Sequence, residues 1–309
     1  EVCPVVREPE DQFSETKKAA YIRSGIPFPM RYTIDEGACT KEACGQCLQV
    51  CPCDAIHLDA VPISVRKTVH AIIVATGWHS YEAGNIDHYR YREDPDVLAN
   101  LEFEKWLAAG LKEQGGLKRP SDGTTPKRLA FIQCAGSRDT KHLPYCSAVC
   151  CMASLKQTTY VTDAYEDSDI SIYYIDIRSI DRFEDFYAKI QAKKNVKFIK
   201  SKVASIVENK ENGNPTLHGV DTEGSERYAH EHDLVVLATG MESSVDKDSF
   251  PVDIVINQEG FIEPAPENGG IFAAGGASDA LDVNRAVQHA TGAALRAVQV
   301  VNRVAGTEG

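Results

Sequence analysis

Two apolar stretches, AIIVATG at residues 71–77 and LVVLATG at 234–240, share a length, an aliphatic composition and an Ala-Thr-Gly ending. Runs of this kind, with no polar alternation, read as strands buried on both faces, the condition of a parallel sheet covered by helices. Their recurrence predicts two similar α/β domains, each entered by a crossover strand. The intervening pattern agrees. RLAFIQCAG, CSAVCCMASLKQTTYVTDAY and DISIYYIDIRS read as strand, helix and strand from residue 128, followed by a helix in DRFEDFYAKIQAKK and a strand in VKFIKSKVASIVEN. A β-meander from residue 213 returns to the second ATG strand, and GGIFAAGGASDALDVNRAV opens a strand, a glycine turn and a long helix. Before the repeat unit, DPDVLANLEFEKWLAAGLKEQ at 94–114 has helical period.

A second constraint comes from cysteine. Ten cysteines are present, gathered mainly at 39–53 and 134–151, a pattern of metal or redox sites in a reducing compartment rather than a dispersed disulfide framework. The balance of 33 basic and 45 acidic residues, net −12, argues against a nucleic-acid footprint. The longest apolar runs are strand-length, far below the roughly 20 residues of a membrane span. The chain opens on EVCPV with neither methionine nor a signal-peptide pattern, and reads as one whose front is missing. No hydrolytic G-x-S-x-G constellation occurs, and His230 and His232 in AHEHD are expected on a solvated face rather than in a metal site.

CTKEACGQCLQVCPCDAI gives Cys39-x4-Cys44-x2-Cys47-x3-Cys51-Pro52, close to the bacterial ferredoxin run. In two-cluster ferredoxins the cysteine before proline serves the other cluster. A simple Cys44/Cys47 dithiol would leave Cys39 and Cys51-Pro52 unexplained. Cys3-Pro4 resembles the end of a second such run. The favoured arrangement completes Cys39, Cys44 and Cys47 with Cys3 and leaves Cys51 to a second cluster; a single cluster on Cys39, Cys44, Cys47 and Cys51 is the alternative. Cys53 is not expected to be a ligand.

The two ATG strand ends and the IFAAGG turn resemble the two-dinucleotide-binding-domain flavoproteins of thioredoxin-reductase type, in which these elements close over FAD. Carried onto this chain, the resemblance implies flavin contacts at Thr76, Gly77, Trp78, Thr239, Gly240, Gly275, Gly276, Asp282 and Val283. Gly276 stands where an Asp is usual, and the N-terminal G-x-G-x-x-G of such proteins is absent. Residues 127–178 fall in the slot of the NAD(P)H domain, whose phosphate loop needs G-x-G-x-x-G/A. CAGSRD offers only Gly136, so Asp176 or Arg178, at the end of the second strand, lacks a phosphate loop to accompany it. In its place stand Cys134-x11-Cys146-x3-Cys150-Cys151, four thiols at a strand end, a loop and a first helical turn, with Arg138 nearby. The count suits a [4Fe-4S] cluster; buried structural cysteines or a redox-active pair remain open on spacing alone.

IPFPMRYTIDEGACTKEACGQCLQVCPCDAI, AIIVATGWHSY, RPSDGTTPKRLAFIQCAGSRD, HLPYCSAVCCMASLKQ and FAAGG together resemble the HdrA family of heterodisulfide reductase subunits over essentially the whole chain. The resemblance implies an oxidoreductase subunit carrying FAD and [4Fe-4S] clusters, one of them held by Cys134, Cys146, Cys150 and Cys151. It implies a ferredoxin-like insert at 1–66, a strand of the FAD domain with a connecting segment at 67–126, a cysteine-bearing NAD(P)H-domain-like unit at 127–243 and the C-terminal part of the FAD domain at 244–309. Within the family, CAGSRD, HLPYCS, SLKQ and the absence of a C-terminal ferredoxin module resemble the branch found in the quinone-interacting membrane-bound oxidoreductase of sulfate reducers. That branch implies a place on the cytoplasmic side of the membrane, partners that include a membrane-bound quinone-interacting subunit, and electron exchange between menaquinol and adenylylsulfate (APS) reductase. The other branch implies a flavin-bifurcating heterodisulfide-reductase-like complex. A glutamate-synthase-type NAD(P)H flavoenzyme and a flavin-free scaffold are the competing classes.

Overall fold

The computed structural model describes residues 2–7, 16–22, 29–61, 63–110, 116–246, 248, 250–264 and 269–307. The last residues of the helix expected to reach Gln114 lie outside them, as does Glu1. The chain divides into two compact units, Glu1–Thr68 and Val69–Gly309.

In the first unit, β1 (Ala20–Ile22) pairs antiparallel with β2 (Tyr32–Ile34), Ala20 opposite Ile34. The segment around Cys3 lies alongside through Arg7 N–H to Lys17 O and Ala19 N–H to Val5 O. This pairing carries Cys3 towards the loop that begins at Cys39. A short helix α1 (Gln46–Val50) follows that loop.

The second unit is α/β. Beyond β3 (Ile72–Val74) and β4 (Trp78–Ser80) come β5 (Val97–Ala99) and α2 (Asn100–Gly110). VLA at 97–99, expected as the start of a helix, is instead a wholly buried edge strand, because its backbone pairs with the second ATG strand. Then follow β6 (Arg128–Ala135), α3 (Cys150–Ala164), β7 (Asp169–Tyr174), α4 (Glu184–Gln191) and β8 (Val196–Lys200). The meander is β9 (Ser205–Glu208), β10 (Pro215–Asp221) and β11 (Glu226–Glu231), and the second ATG strand is β12 (Leu234–Thr239).

The main sheet runs β5-β12-β6-β7-β8, every pair parallel. Phe131, Ile132, Ile170, Ile172, Val235 and Val236 are sealed within it, as the unbroken apolar runs require. Phe131 meets Phe103 of α2 edge-on at 5.5 Å, while Ala130, Ile132, Val235 and Leu237 pack against Tyr81, Ile86 and Tyr89 and against the meander residues Ile206 and Leu217. Each buried Val, Ile, Leu or Phe among them contributes about 1.5–3 kcal/mol.

The first ATG strand belongs elsewhere. β3 pairs parallel with β14 (Ile271–Ala273), whose glycine turn leads into α5 (Val283–Thr307). β13 (Met241–Ser243) pairs antiparallel with β4, Met241 opposite Ser80 and Ser243 opposite Trp78. The two sheets, each entered by an ATG strand, are the layout expected of a two-dinucleotide-binding-domain fold. The smaller one is open: Ile72, Ile73, Val283, Val287, Leu295 and Val298 are exposed. Among the described residues no helix is long and apolar enough to cross a membrane.

Candidate cofactor sites

The loop after β2 turns tightly through Lys41 and Gly45, both at positive φ. It wraps a small cavity lined by Cys3, Cys39, Cys44 and Cys47, with Ile34 and Leu58 beside them. Cys51 is not in that lining. The Lys41 N–H donates to Cys39 Sγ at 3.4 Å, and the Ala55 N–H to Cys51 Sγ at 3.4 Å. Burial works against ionisation of Cys3, but the backbone near Ala20, Val5 and Ala19 holds its thiol below the ordinary value. Backbone amides of Ala55 and Cys53 do the same for Cys51, while Cys53 itself is exposed. Thiols around a cavity, with amides aimed at sulfur, fit an iron–sulfur cluster, whose sulfurs take such hydrogen bonds.

In the second unit, β6 ends in a strained turn. Cys134, Arg138 and Ala148 have φ of 56°, 55° and 58°, and Gly136 of 73°. A non-glycine residue held there costs of order 1–3 kcal/mol and persists only where the surroundings fix it. They do: Leu143 N–H donates to Gly136 O, Arg138 N–H to Tyr145 O, and Ser147 Oγ accepts from Met241 N–H at 2.8 Å. The turn delivers Cys134 and Cys146 towards the start of α3, which carries Cys150 and Cys151.

Cys150 Sγ donates to Thr239 O at 3.2 Å, Cys151 Sγ faces Asp176 O at 3.9 Å, and Ala148 N–H donates to Cys146 Sγ at 3.4 Å. Cys134, Cys150 and Cys151 are buried. Burial pushes the Cys134 thiol up to about 11, the nearby Cys151 adding to it and Arg138 opposing. Cys150 is raised by burial and then by Cys151, Cys134 and Cys146, so all four sulfurs lie within reach of one another's charge. Among the described residues no three His, Cys, Asp or Glu side chains are placed to hold one metal ion. Thiols grouped but not converging on a point fit the separate corners of a cluster better than a mononuclear site, and metal in place of protons would relieve their mutual repulsion.

The nucleotide features are otherwise occupied. The Asp176 carboxylate, where a ribose reader is expected, accepts from Arg138 Nη1 at 2.7 Å and Arg178 Nε at 3.1 Å.

Of the expected flavin positions, two groups emerge. Thr76, Gly77 and Trp78 lie beside Gly275 and Gly276: Ser244 Oγ donates to Thr76 O at 2.8 Å, and a Cβ at Gly276 would stand 3.0 Å from the Gly77 carbonyl carbon. There is no room for the aspartate usual at that place. Asp282 caps α5 by accepting from Arg285 N–H at 3.0 Å, and its Oδ2 is buried without a hydrogen bond, Arg285 Nε standing 3.6 Å away. With Val283 this cradle of closely packed turns, and a buried carboxylate oxygen without a hydrogen bond, fits part of a flavin site. Thr239 and Gly240 lie at the cysteines instead. A Cβ at Gly240 would come within 2.3 Å of Ser137 Oγ, and Thr239 Oγ1 bonds Asn100 Oδ1 at 3.1 Å. The β4–β13 ribbon joins the two places, three residues or roughly 10 Å long. Ser147, Tyr145 and Asn100 had no signature in sequence, since each acts through contacts remote along the chain.

His230 is exposed, as expected, but His232 is not on a solvated face. His232 is buried, and both rings meet the Tyr173 hydroxyl at 2.9 Å. The end of the meander folds back onto β7 there, and the hydroxyl supplies the partner that lets the His232 ring go inside.

No family model matches the chain. Over 96% of its length it is 35% identical to the A subunit of the H(2):CoB-CoM heterodisulfide,ferredoxin reductase of Methanothermobacter marburgensis, covering 47% of that protein. It is 34% identical to the iron-sulfur A subunit of the CoB–CoM heterodisulfide reductase of Methanocaldococcus jannaschii over 95% of the chain and 46% of that protein. T. acidophilum thioredoxin reductase superposes with a TM-score of 0.46 at 15% identity, over 76% of this chain and 66% of that one. The homologues are thus oxidoreductase subunits, the HdrA components of heterodisulfide reductases, and the chain spans about half the length of these curated relatives.

Proposed function

We propose that this chain is the cluster-bearing part of an HdrA-type subunit, an electron-transfer flavoprotein working within a larger complex. The observation that carries it is the gathering of Cys134, Cys146, Cys150 and Cys151 where a nucleotide's phosphates would lie, with Asp176 already taken by two arginines. FAD bound at Thr76, Gly77, Trp78, Gly275, Gly276, Asp282 and Val283 would supply the exchange between electron pairs and single electrons, and [4Fe-4S] clusters would carry single electrons onward. The chain's own residues position these groups. The β4–β13 ribbon sets cradle and cysteine site a short span apart, and buried apolar walls tune potential by excluding water. In the first unit Cys3, Cys39, Cys44 and Cys47 would hold one cluster, leaving Cys51 to another. The exposed apolar side chains of β3 and α5 have the character of a surface that a partner protein covers.

Iron and flavin counts on the intact protein test the reading. Cys150→Ala should lower iron by about four per chain and leave flavin unchanged; unchanged iron would sink the assignment. The names of the relatives favour a complex of heterodisulfide reductase type, flavin-bifurcating in its fullest form. The CAGSRD, HLPYCS and SLKQ segments favour a second reading, the quinone-interacting oxidoreductase branch, with a membrane-bound partner and APS reductase as acceptor at the cytoplasmic face. Reduction of the purified complex by a menaquinol analogue, absent for a heterodisulfide-type complex, separates the two.

A further inference from the structure

Asp176 sits at the end of β7 with its carboxylate between two guanidinium groups. Arg138 Nη1 approaches Oδ1 at 2.7 Å; Arg178 Nε approaches Oδ1 at 3.1 Å and Nη2 approaches Oδ2 at 3.3 Å. The same residue presents its main-chain carbonyl to Cys151 Sγ at 3.9 Å. Arg138 springs from the strained turn two residues after Gly136, its φ of 55° aiming it back across the site. Its charge reaches Cys134, and that of Arg178 reaches Cys151 and, in turn, Cys146. Two cations and one anion therefore border the four sulfurs, a net positive charge on the rim.

We infer that Asp176 holds Arg138 and Arg178 as a charge clamp over the Cys134–Cys151 site, and that the clamp sets the reduction potential of the cluster held there. The inference rests on the functional reading above. A cluster on four thiolates is anionic, and reduction adds one further negative charge without breaking a bond. Cationic neighbours favour the reduced form, anionic ones the oxidised form. The arginines are positioning residues: they touch the sulfurs' surroundings, not the iron. Asp176, placed where a ribose would be read, has become the anchor that keeps two long side chains from swinging into solvent.

Potentiometric titration of the purified full-length holoprotein, followed by the paramagnetic signal that Cys150→Ala abolishes, tests this. Arg138→Gln and Arg178→Gln should each shift the equilibrium about tenfold towards the oxidised cluster, about 59 mV downward for one electron. Asp176→Asn, whose amide oxygen still accepts from the guanidinium groups, should shift it upward. Arg178→Lys should restore the wild-type value. Arg178 is half exposed, so its substitutions leave folding intact even where a change at Arg138 disturbs the turn. A merely structural clamp would lose iron without this reversal of sign. Midpoints that stay within about twofold of wild type, or that move the same way for arginine and aspartate variants, overturn the inference while the cluster assignment stands. A wild-type protein with no signal removed by Cys150→Ala overturns the functional reading, and the clamp with it.

Discussion

His232 offers a test of the fold that can be worked to a number. Its ring is 5% exposed, against the Tyr173 hydroxyl. Burial, then the charges of His230 and Arg128, push its pKa from 6.5 down to about 4, against the opposing pull of Asp233 and Asp169. In the unfolded chain the ring takes up a proton below its ordinary value, whereas in the folded chain it stays neutral until about 4. The unfolded state thus binds more protons across this window, and stability rises with pH through it. The full displacement is worth about 3.4 kcal/mol at about 1.36 kcal/mol per pH unit, of which about 2 kcal/mol falls between about pH 7.5 and about pH 5. His232→Gln keeps a partner for Tyr173 and cannot titrate. Urea unfolding of both proteins, followed by tryptophan fluorescence at the two pH values, should show the wild type losing about 2 kcal/mol more than the variant on acidification. Other acid-sensitive groups, clusters included, are common to both proteins and cancel in the difference. Parallel profiles would refute the claim that His232 is buried neutral.

Two further substitutions probe the scaffold and the cradle. Asp96→Ala removes the nearly fully buried carboxylate that accepts from Arg119 and from Ser121 Oγ; leaving Arg119 partly unpaired should cost about 3–5 kcal/mol, read as a fall in the urea midpoint. Gly276→Ala places a methyl 3.0 Å from both the Gly77 carbonyl carbon and Trp78 Cδ1, which forces the two turns apart. It should lower flavin per chain while iron at the cysteine site is retained, and retention of both would show that these turns do not contact the flavin.

The parallel sheet was legible in sequence because buried strands have no polar alternation to confuse with a helix. FIQ and VVL announce themselves wherever they pair. The edge strand Val97–Ala99 was not, since three residues preceding a helix carry too little period to separate the two. The cysteine runs were legible as groups, and Cys3-Pro4 already favoured placing Cys3 with Cys39, Cys44 and Cys47; what sequence did not express is the pairing of residues 5–7 with 17–19 that brings Cys3 there. An Ala-Thr-Gly ending says that a strand stops at a tight turn; it does not say which loop closes upon it. That is why Thr239 and Gly240, expected among the flavin contacts, could be found to back the cysteines only from the structure. The burial of His232 likewise depends on Tyr173, 59 residues away.

The slot between β6 and β7 leads to the last prediction. A dinucleotide's pyrophosphate is bound by free backbone N–H groups of a glycine turn at a helix start. Here the N–H of Ser137 is spent on Cys134 O and that of Arg138 on Tyr145 O. The space beside Gly136 is filled by the Tyr81 ring, 2.6 Å from where a Cβ would stand. The carboxylate that would read the ribose is neutralised by Arg138 and Arg178, and the helix begins with two buried thiols. The turn donors Ser137 and Arg138 are already bonded, so using them for a nucleotide requires dismantling the turn that presents Cys134 and Cys146. Excess NADH, with no partner protein present, should therefore leave the flavin absorbance of the purified holoprotein unchanged, and freeing Asp176 through Arg138→Gln should not confer reduction. Rapid bleaching by NADH would mean that the turn opens or that hydride enters elsewhere. Either result would return this domain to the nicotinamide-using flavoenzymes. The absence of such bleaching is what the proposed function requires, in which the flavin exchanges electrons with the cluster held by the four thiols rather than with a nicotinamide.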